Sequence, residues 1–330
     1  MTEVIAVNAT APEADRIARA AACLRSGGLV AFPTETVYGL GVHALDREAV
    51  RRLFAAKGRP ANDPIIVHVS AIEEIAPLVV AIPADAARLA ARFWPGPLTI
   101  VMQRSGRVPD AITAGLDTVA IRIPAHPVAQ ALISASGLPV GAPSANLFSR
   151  PSPTTAAHVL EDLRDRIDMV VDGGPTPVGV ESTVLSLAGR VPTLLRPGAI
   201  TLDMLRDVIP QVQARRDLPA EDAAPQVAPG MLSKHYSPRA PMTLYRGERE
   251  TVRAEIERDR RRLESEGKKV AVIETGDEPA DVARRIYGAL RAADAQQSDV
   301  ILAADLSGSD GLRAAIRDRL RRAAAEIREI

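Results

Sequence analysis

Residues 46–63 read "DREAVRRLFAAKGRPAND". Apolar residues recur at helical spacing in the first part of this stretch, which predicts an amphipathic helix over residues 47–57 that stops before Pro60. Two cations, Lys57 and Arg59, stand one residue apart at the helix end. They repel each other, so either both are solvated, as cations at a helix C-terminus often are, or an anion lies between them.

Short strand-like runs alternate with helical runs on both sides of this segment, from residue 1 to about 205. Helical patterns cover roughly 12–25, 84–93, 127–135 and 154–163. Several strands follow one another with no helix between them, which predicts a mixed sheet rather than a purely parallel one. The strand-like runs are "GGLVAFP", "PIIVHVS", "PLTIVMQ", "TVAIRIP", "GLPVGAP", "MVVDGG", "STVLSL" and "PTLLRPG".

The pattern lapses at residues 211–240, which are polar and proline-rich and read as a linker. Its last part, "APGMLSKHYSP", contains Met231, His235 and Tyr236, which is more than a plain spacer needs. A second pattern follows, with strands at "MTLYRG", "KKVAVIE" and "SDVILAAD" and helices at 248–266, 279–294 and 311–328. It predicts a small three-layer α/β domain with a mostly parallel sheet. We therefore divide the chain into 1–210, 211–240 and 241–330.

Composition argues against two classes of protein. Lysine plus arginine and aspartate plus glutamate number 41 each, and aromatic residues are only 3%, so neither a phosphate-tracking surface nor base-stacking platforms are expected. No apolar run is long enough for a membrane span, and the start lacks the pattern of a secretory signal. One cysteine, Cys23, allows neither an internal disulfide nor a cysteine zinc cage. We expect a soluble, cytoplasmic protein.

Polar residues follow several strands and sit beside glycine and proline. "GAPSAN", 141–146, ends in Ser144 and Asn146, where small neighbours let a ligand approach the backbone. "FPTETVYGLG", 32–41, places Thr34, Thr36 and Tyr38 at alternate positions, which in a strand would point to one side. Each pattern alone also fits an ordinary turn or strand end.

The arginines suggest one shared site. Arg122 lies within a strand, where a buried guanidinium needs a partner, and Arg196 precedes a proline–glycine pair. Together with Lys57 and Arg59 they fit a cationic cavity for a phosphorylated ligand. No Walker A motif, carboxylate pair, Ser-His-Asp order or zinc spacing stands out. The expected chemistry is therefore positioning and charge neutralisation, as phosphoryl or nucleotidyl transfer requires.

The ordered motifs resemble one family over essentially the whole chain. "PTETVYGLG", "KGRP", "WPGPLTIV", "TVAIRIP", "APSAN", "SPTTA", "ESTVL" and "LRPGAI" resemble the YrdC-like family, and "PGMLSKHYSP" before a second domain resembles its two-domain L-threonylcarbamoyladenylate synthases. The resemblance implies a YrdC-like mixed twisted sheet with a cationic cavity, followed by a smaller Rossmann-like domain.

The resemblance also implies a reaction. L-Threonine, bicarbonate and ATP, with Mg²⁺, would give threonylcarbamoyl-AMP and diphosphate. A separate tRNA threonylcarbamoyl transferase complex would use the product to modify tRNA, with no strong direct nucleic-acid binding by this chain. The alternative that stays open is an RNA-binding module that grips RNA in the cationic cavity.

The residues of the site follow from matching the family's motifs to this sequence. The Lys-x-Arg and Ser-x-Asn signature falls on Lys57, Arg59, Ser144 and Asn146. ATP contacts fall on Arg59, Asp63, Thr118, Ser144, Ser152, Arg196 and the linker residue Tyr236. Threonine contacts fall on Thr36, His68, Arg122, Ala142 and Ser182. No residue is assigned to Mg²⁺, which ATP phosphates would hold.

Three positions depart from the family's pattern. Asp63 stands where asparagine is common, and a carboxylate near phosphate is unfavourable unless a partner meets it. Phe148 and Ser149 replace a frequent Ser-Gly pair, which would make the loop stiffer. Ser186 replaces a common aspartate, which weakens any metal role there.

Overall fold

The computed structural model describes residues 1–215, 226–228, 236–276, 278–306, 308 and 311–330. Each described part of the chain contributes to one of two α/β units. The first is a mixed sheet with helices packed against it, and the second is a parallel sheet of four strands. The predicted fold class, a mixed-sheet domain followed by a smaller Rossmann-like one, is confirmed.

The helix that opened the sequence analysis spans Arg47–Lys57, as predicted. It begins where the Asp46 carboxylate accepts hydrogen bonds from the backbone N–H groups of Glu48 and Ala49. It ends at Gly58 rather than at the proline, because Gly58 adopts a left-handed conformation with φ of 60°. The backbone N–H of Arg59 then donates to Phe54 O at 3.0 Å, which turns the chain back at this point.

The first unit contains eleven strands and seven α-helices within the described residues. The strands are β1 (Glu3–Ala6), β2 (Val30–Pro33), β3 (Tyr38–His43), β4 (Val67–His68), β5 (Leu98–Gln103), β6 (Thr118–Arg122), β7 (Val140–Gly141), β8 (Met169–Asp172), β9 (Thr183–Ser186), β10 (Thr193–Arg196) and β11 (Gln213–Ala214). The helices are α1 (Ala14–Arg25), α2 (Arg47–Lys57), α3 (Ala84–Phe93), α4 (Asp110–Thr113), α5 (Pro127–Ser136), α6 (Ala156–Leu163) and α7 (Leu202–Val208).

The sheet order places the motif-bearing strands side by side. The order is β1-β8-β2-β3-β7-β4-β6-β5-β9-β10-β11. β4 pairs with β6 in parallel, with His68 opposite Arg122, and with β7 in antiparallel fashion. The ends of β3, β4, β6 and β7, which lie far apart in sequence, therefore meet in the middle of one sheet.

The second unit is a repeated strand–helix pattern. It contains β12 (Met242–Arg246), α8 (Arg249–Ser265), β13 (Val270–Ile273), α9 (Pro279–Ala295), β14 (Val300–Ala304), α10 (Gly311–Ala323) and β15 (Glu326–Glu329). The order is β13-β14-β12-β15, and every pair is parallel. The predicted helix over 311–328 is wrong at its end, because residues 326–329 extend beside β12 as a fourth strand.

The predicted linker is not a plain spacer where the structure describes it. β11 adds an edge strand to the first sheet by pairing with β10. Further along, the backbone N–H of Gln226 donates to Asn62 O at 2.9 Å, and Ala228 is buried among residues of the first unit. Met231, Lys234 and His235 lie outside the described residues. Of the helices described, none is both long and apolar enough to cross a membrane.

Candidate active site

A small, half-open cavity, lined mostly by buried side chains, lies where the central strands of the first sheet meet the linker. Its volume is about 50 Å³, enough for one or two water molecules. Nine of the predicted site residues line it, namely Thr36, Arg59, His68, Arg122, Ala142, Ser144, Ser182, Arg196 and Tyr236. The fold thus brings most of the predicted residues to one place.

Arg59 and Asp63 form a buried ion pair beside the cavity. Arg59 Nη2 lies 2.9 Å from Asp63 Oδ2, and both side chains are almost inaccessible to solvent. Arg59 also donates from Nε to Asp63 O at 3.0 Å and from Nη2 to Pro64 O at 2.6 Å. The unusual carboxylate at position 63 is therefore met by Arg59, and Asp63 itself lies behind the cavity wall.

Arg122 has an acidic partner that sequence reasoning missed. Its Nη2 lies 2.7 Å from Glu35 Oε1, its Nη1 donates to Thr36 Oγ1 at 3.0 Å, and its Nε donates to Gly96 O at 3.2 Å. Glu35 follows the threonine of the "PTET" motif and also accepts a hydrogen bond from the Ala125 N–H. The need of a buried guanidinium for a counter-ion was the only signal that could have pointed to it.

Arg196 holds the loop before β9 against the cavity. Its Nε donates to Ser182 O at 3.1 Å and its Nη2 to Ser182 Oγ at 3.2 Å. Ser182 Oγ is also 2.7 Å from Thr99 Oγ1. The hydroxyl predicted to contact threonine is thus fixed by an arginine predicted to contact ATP.

Lys57 does not line the cavity, and the expectation that its ammonium faces phosphate directly does not fit its position. Its Nζ donates to the backbone carbonyls of Ser144, at 2.5 Å, and Asn146. Asn146 in turn donates from Nδ2 to Leu147 O and Arg150 O. Burial, and next the positive charge of Arg59, lower the pKa of Lys57 well below its usual value. Lys57 and Asn146 therefore hold the Ser-x-Asn loop in place through hydrogen bonds on the side that faces away from the cavity.

The expected alternation of Thr34, Thr36 and Tyr38 is wrong. Thr34 Oγ1 donates to Val37 O at 2.7 Å, so these residues form a tight turn between β2 and β3 rather than an extended strand. Both threonines line the cavity, but the Tyr38 hydroxyl donates to Gly174 O at 2.8 Å on another side. The threonine-containing turn over residues 34–37, not strand periodicity, directs the side chains here.

His68 is a neutral member of the wall. Burial, and next the charge of Arg122, lower its pKa to about 3. His68 is therefore a neutral imidazole at physiological pH. It can form hydrogen bonds but cannot neutralise a negative charge.

Two further predicted ATP contacts lie outside the cavity. Thr118 is half-buried at the start of β6, roughly 13 Å along the strand from Arg122. Ser152 is fully buried, and its Oγ donates to Glu181 Oε1 at 2.5 Å. Glu181, which sequence reasoning did not single out, does line the cavity.

Tyr236 closes the cavity from the linker side. Its backbone adopts φ of 63°, unusual for an aromatic residue, and its ring is buried between the two units. Burial, and next the carboxylate of Glu181, raise its pKa to about 12. The following residue, Ser237, donates its N–H to Ser149 O at 2.7 Å.

The remaining departures from the family's pattern are placed away from the cavity wall. Ser149 has φ of 67°, the conformation that a glycine adopts at no steric cost, so the serine makes this loop strained as well as stiff. Ser186 accepts a hydrogen bond from the Ala188 N–H at 3.4 Å in a turn after β9. Within the described ranges, no three His, Cys, Asp or Glu residues cluster closely enough to hold a metal ion.

A mixed sheet whose centre encloses a Lys-x-Arg and Ser-x-Asn site, joined to a second α/β unit, defines a two-domain YrdC-like nucleotidyltransferase. A family model described as "Telomere recombination" matches residues 22–198, and one described as "Threonylcarbamoyl-AMP synthase, C-terminal domain" matches residues 200–325. The chain belongs to the threonylcarbamoyl-AMP synthase family.

Relatives of known name agree along the whole length. The threonylcarbamoyl-AMP synthase of Pyrococcus abyssi is 46% identical, over 93% of this chain and 94% of its own, and that of Bacillus subtilis is 44% identical, over 94% and 93%. The crystal structure of P. abyssi Sua5 complexed with L-threonine matches with a TM-score of 0.96 at 44% identity, covering 100% of both chains.

Proposed function

We propose that this chain makes threonylcarbamoyl-AMP and diphosphate from L-threonine, bicarbonate and ATP. The observation that supports this most is the convergence of Arg59, Arg122 and Arg196 with two threonines and Ser182 on one buried cavity. Such a site neutralises phosphates and a carboxylate while it excludes water. The product would serve a separate tRNA-modifying transferase complex in the cytoplasm.

The proposed order of events begins when the neutral amine of threonine attacks bicarbonate, and water leaves as the carbamate forms. Arg122 orients the threonine carboxylate, and Thr36 and Ser182 contact its hydroxyl. A carbamate oxygen then attacks the α-phosphorus of ATP, the bond to the bridging oxygen breaks, and diphosphate leaves with that electron pair. Arg59 and Arg196 offset the phosphate charge.

We propose that Mg²⁺ enters with ATP, bound by the phosphates. The two carboxylates nearest the proposed nucleotide, those of Asp63 and Glu181, are already ion-paired with Arg59 and Arg319. Neither is an available metal ligand in this arrangement, so the donor set fits a substrate-borne ion better than a resident one.

An RNA-binding role is not favoured. The three cavity arginines are at most 8% exposed and each has backbone or carboxylate partners, so they cannot follow a phosphate backbone across the surface. The volume of the cavity, about 50 Å³, is also far too small for a segment of RNA.

The test is a reconstitution of the reaction with the full chain. Incubation with ATP, bicarbonate and labelled threonine should release diphosphate and form a labelled threonine–AMP adduct. Omission of bicarbonate or threonine is the control. Diphosphate release that is independent of both would contradict the proposal.

A further inference from the structure

The most deeply buried cation of the second unit reaches across to the wall of the cavity. Arg319, on α10, is completely inaccessible to solvent in its side chain, and its Nε lies 2.8 Å from Glu181 Oε2. Its Nη1 donates to Pro197 O at 3.0 Å, next to Arg196, and its guanidinium lies 5.5 Å from the centre of the Tyr236 ring. One arginine thus contacts three parts of the wall.

Glu181 gathers donors from both units. The hydroxyl of Tyr287, on α9, lies 3.0 Å and 2.9 Å from its two carboxylate oxygens, and Ser152 donates to Oε1. The close approach of α9 depends on Gly179, where a Cβ atom would stand 2.3 Å from Ala283 O. The absence of a side chain at Gly179 therefore lets α9 pack directly against this segment of the first unit.

A carboxylate in this wall needs neutralisation. Burial alone would raise the pKa of Glu181. The positive charge of Arg319, then that of Arg196, and the hydrogen bond from Ser152 together outweigh burial and lower the pKa to about 2. Glu181 is therefore ionised at physiological pH. Without a dedicated counter-ion it would repel the phosphates of ATP and pull on Arg196, a residue proposed to bind them.

We infer that Arg319 and Tyr287 are positioning residues of the ATP site, which hold and neutralise Glu181 so that it neither repels the phosphates of ATP nor draws Arg196 away from them. This inference rests on the proposed function. It gives the second unit a definite part in the reaction: its helices α9 and α10 support, from behind, the wall of a cavity that belongs to the first unit.

The decisive variant is Arg319→Met in the full chain, which keeps the length and apolar contacts of the stem. The dissociation constant of ATP should rise by about 10- to 100-fold, because a buried carboxylate is left without its partner. That of L-threonine, measured without ATP by calorimetry, should rise by no more than about 3-fold, since Arg122 and Thr36 contact neither Arg319 nor Tyr287 and only Ser182 adjoins Glu181. Equal losses for both ligands, or an unchanged ATP constant, would overturn the inference.

A pH profile separates this role from a merely structural one. The charged and titratable groups that face Glu181 are Arg319 with Asp318 on α10, Tyr287, Tyr236 and Arg196. In Arg319→Met, burial is no longer opposed by the guanidinium and raises the pKa of Glu181. Glu181 then ionises as pH rises between about 5 and 8, so the affinity for ATP should fall over this range relative to the unaltered chain. Adding Glu181→Gln should restore ATP affinity to within about 3-fold and abolish this dependence.

Controls keep the test informative if Arg319→Met folds poorly. Tyr287→Phe removes one hydroxyl and should weaken ATP binding by about 5-fold with the fold intact. Arg291→Met removes another buried interdomain arginine, whose partners are Glu161, Asp162 and Pro151 O, and it controls for domain docking. Arg317→Gln, on the same helix but paired with Asp305, should bind ATP normally.

A Tyr287→Phe chain that binds ATP as the unaltered chain does would also overturn the inference. The proposed function fails separately: it is wrong if the unaltered chain binds ATP but forms no adduct, an outcome that leaves the measured ATP constants of the variants to decide the role of Arg319.

Discussion

The small cavity of the first unit contrasts with a wide cleft in the second. The cleft, beyond the carboxyl ends of β12, β13 and β14, has a volume of about 780 Å³, whereas the cavity has about 50 Å³. Open α/β sheets often bind ligands at such a position. Volume alone would therefore point to the cleft, whereas the proposed reaction takes place at the cavity.

Burial of the charges, not volume, separates the two regions. Two arginines of the cleft, Arg260 and Arg261, pair locally on α8, and in the pair of Arg261 with Glu257 the side chains are 74% and 40% exposed. The cavity arginines Arg59 and Arg122 pair with Asp63, four residues along the chain, and with the distant Glu35, and all four side chains are at most 10% exposed. A buried charge is expensive unless it is paired, so a cluster of them marks a site at which the fold tolerates that expense for function.

The largest expected effect tests the cavity side of this comparison. Arg122→Ala should lower kcat/KM for threonylcarbamoyl-AMP formation by about 10³-fold. The variant loses a guanidinium that the fold holds in place to bind the negative charge of the substrate. Arg122→Lys should recover only part of this loss, since an ammonium cannot reproduce the two-armed geometry. Steady-state kinetics with threonine as the varied substrate measure both. Turnover near that of the unaltered chain would mean that the buried arginine is structural.

The closure of the cavity gives the next largest effect. Tyr236→Ala should reduce synthesis by about 10²-fold, because the labile carbamate and adenylate lose protection from water. Tyr236→Phe keeps the ring between Tyr287 and Arg319 and should retain most of the activity. Adduct yield per diphosphate released is the informative measurement. Identical yields in the alanine variant and the unaltered chain would make the tyrosine only a contact between domains.

The loop behind the cavity should show its effect in stability. Lys57→Met leaves the carbonyls of Ser144 and Asn146 without their donor, which should lower the free energy of unfolding by about 2–3 kcal/mol. Urea denaturation of the full chain, followed by circular dichroism and analysed over the first unfolding transition, measures this change in the free energy of unfolding. If Lys57 instead faces phosphate, the variant should unfold normally and lose ATP binding alone.

Acid should weaken the fold through His68. Its folded pKa of about 3 lies below the ordinary value of 6.5, so the unfolded chain takes up a proton first, and stability falls as pH decreases from about 6.5. His68→Gln should remove about 1.4 kcal/mol per pH unit from this slope between pH 6 and 4. Denaturation midpoints at several pH values provide the measurement, and parallel pH profiles of the two chains would contradict it.

The smallest effect belongs to the cleft. Arg261→Ala removes an exposed ion pair within one helix, so the melting temperature should change by no more than about 1 °C and threonylcarbamoyl-AMP formation should be unchanged. Differential scanning calorimetry and the adduct assay check both. A loss of activity here would erase the difference between the two regions.

Local elements were predictable wherever one physical signal dominated. The helix Arg47–Lys57 was predicted from its apolar spacing and the proline that follows, and the structure shows that Asp46 and Gly58 cap its two ends. The four-residue strand β15 was missed because "EIREI" follows a helix directly and its partner β12 is eighty residues away in sequence. The turn at Thr34–Val37 was read as a strand because alternation and a tight turn look alike over so few residues.

The fold class, the family and most of the residues that meet at the cavity could be inferred from the sequence alone, because motifs and hydrophobic periods are local properties of a chain. The partners became visible only in the folded molecule: Glu35 for Arg122, Asp63 for Arg59, the backbone of residues 144–146 for Lys57, and Arg319 for Glu181. The last pair is separated by 138 positions and joins two domains. A charge reveals that it needs a counter-ion when buried, but which ion it finds depends on how the elements pack.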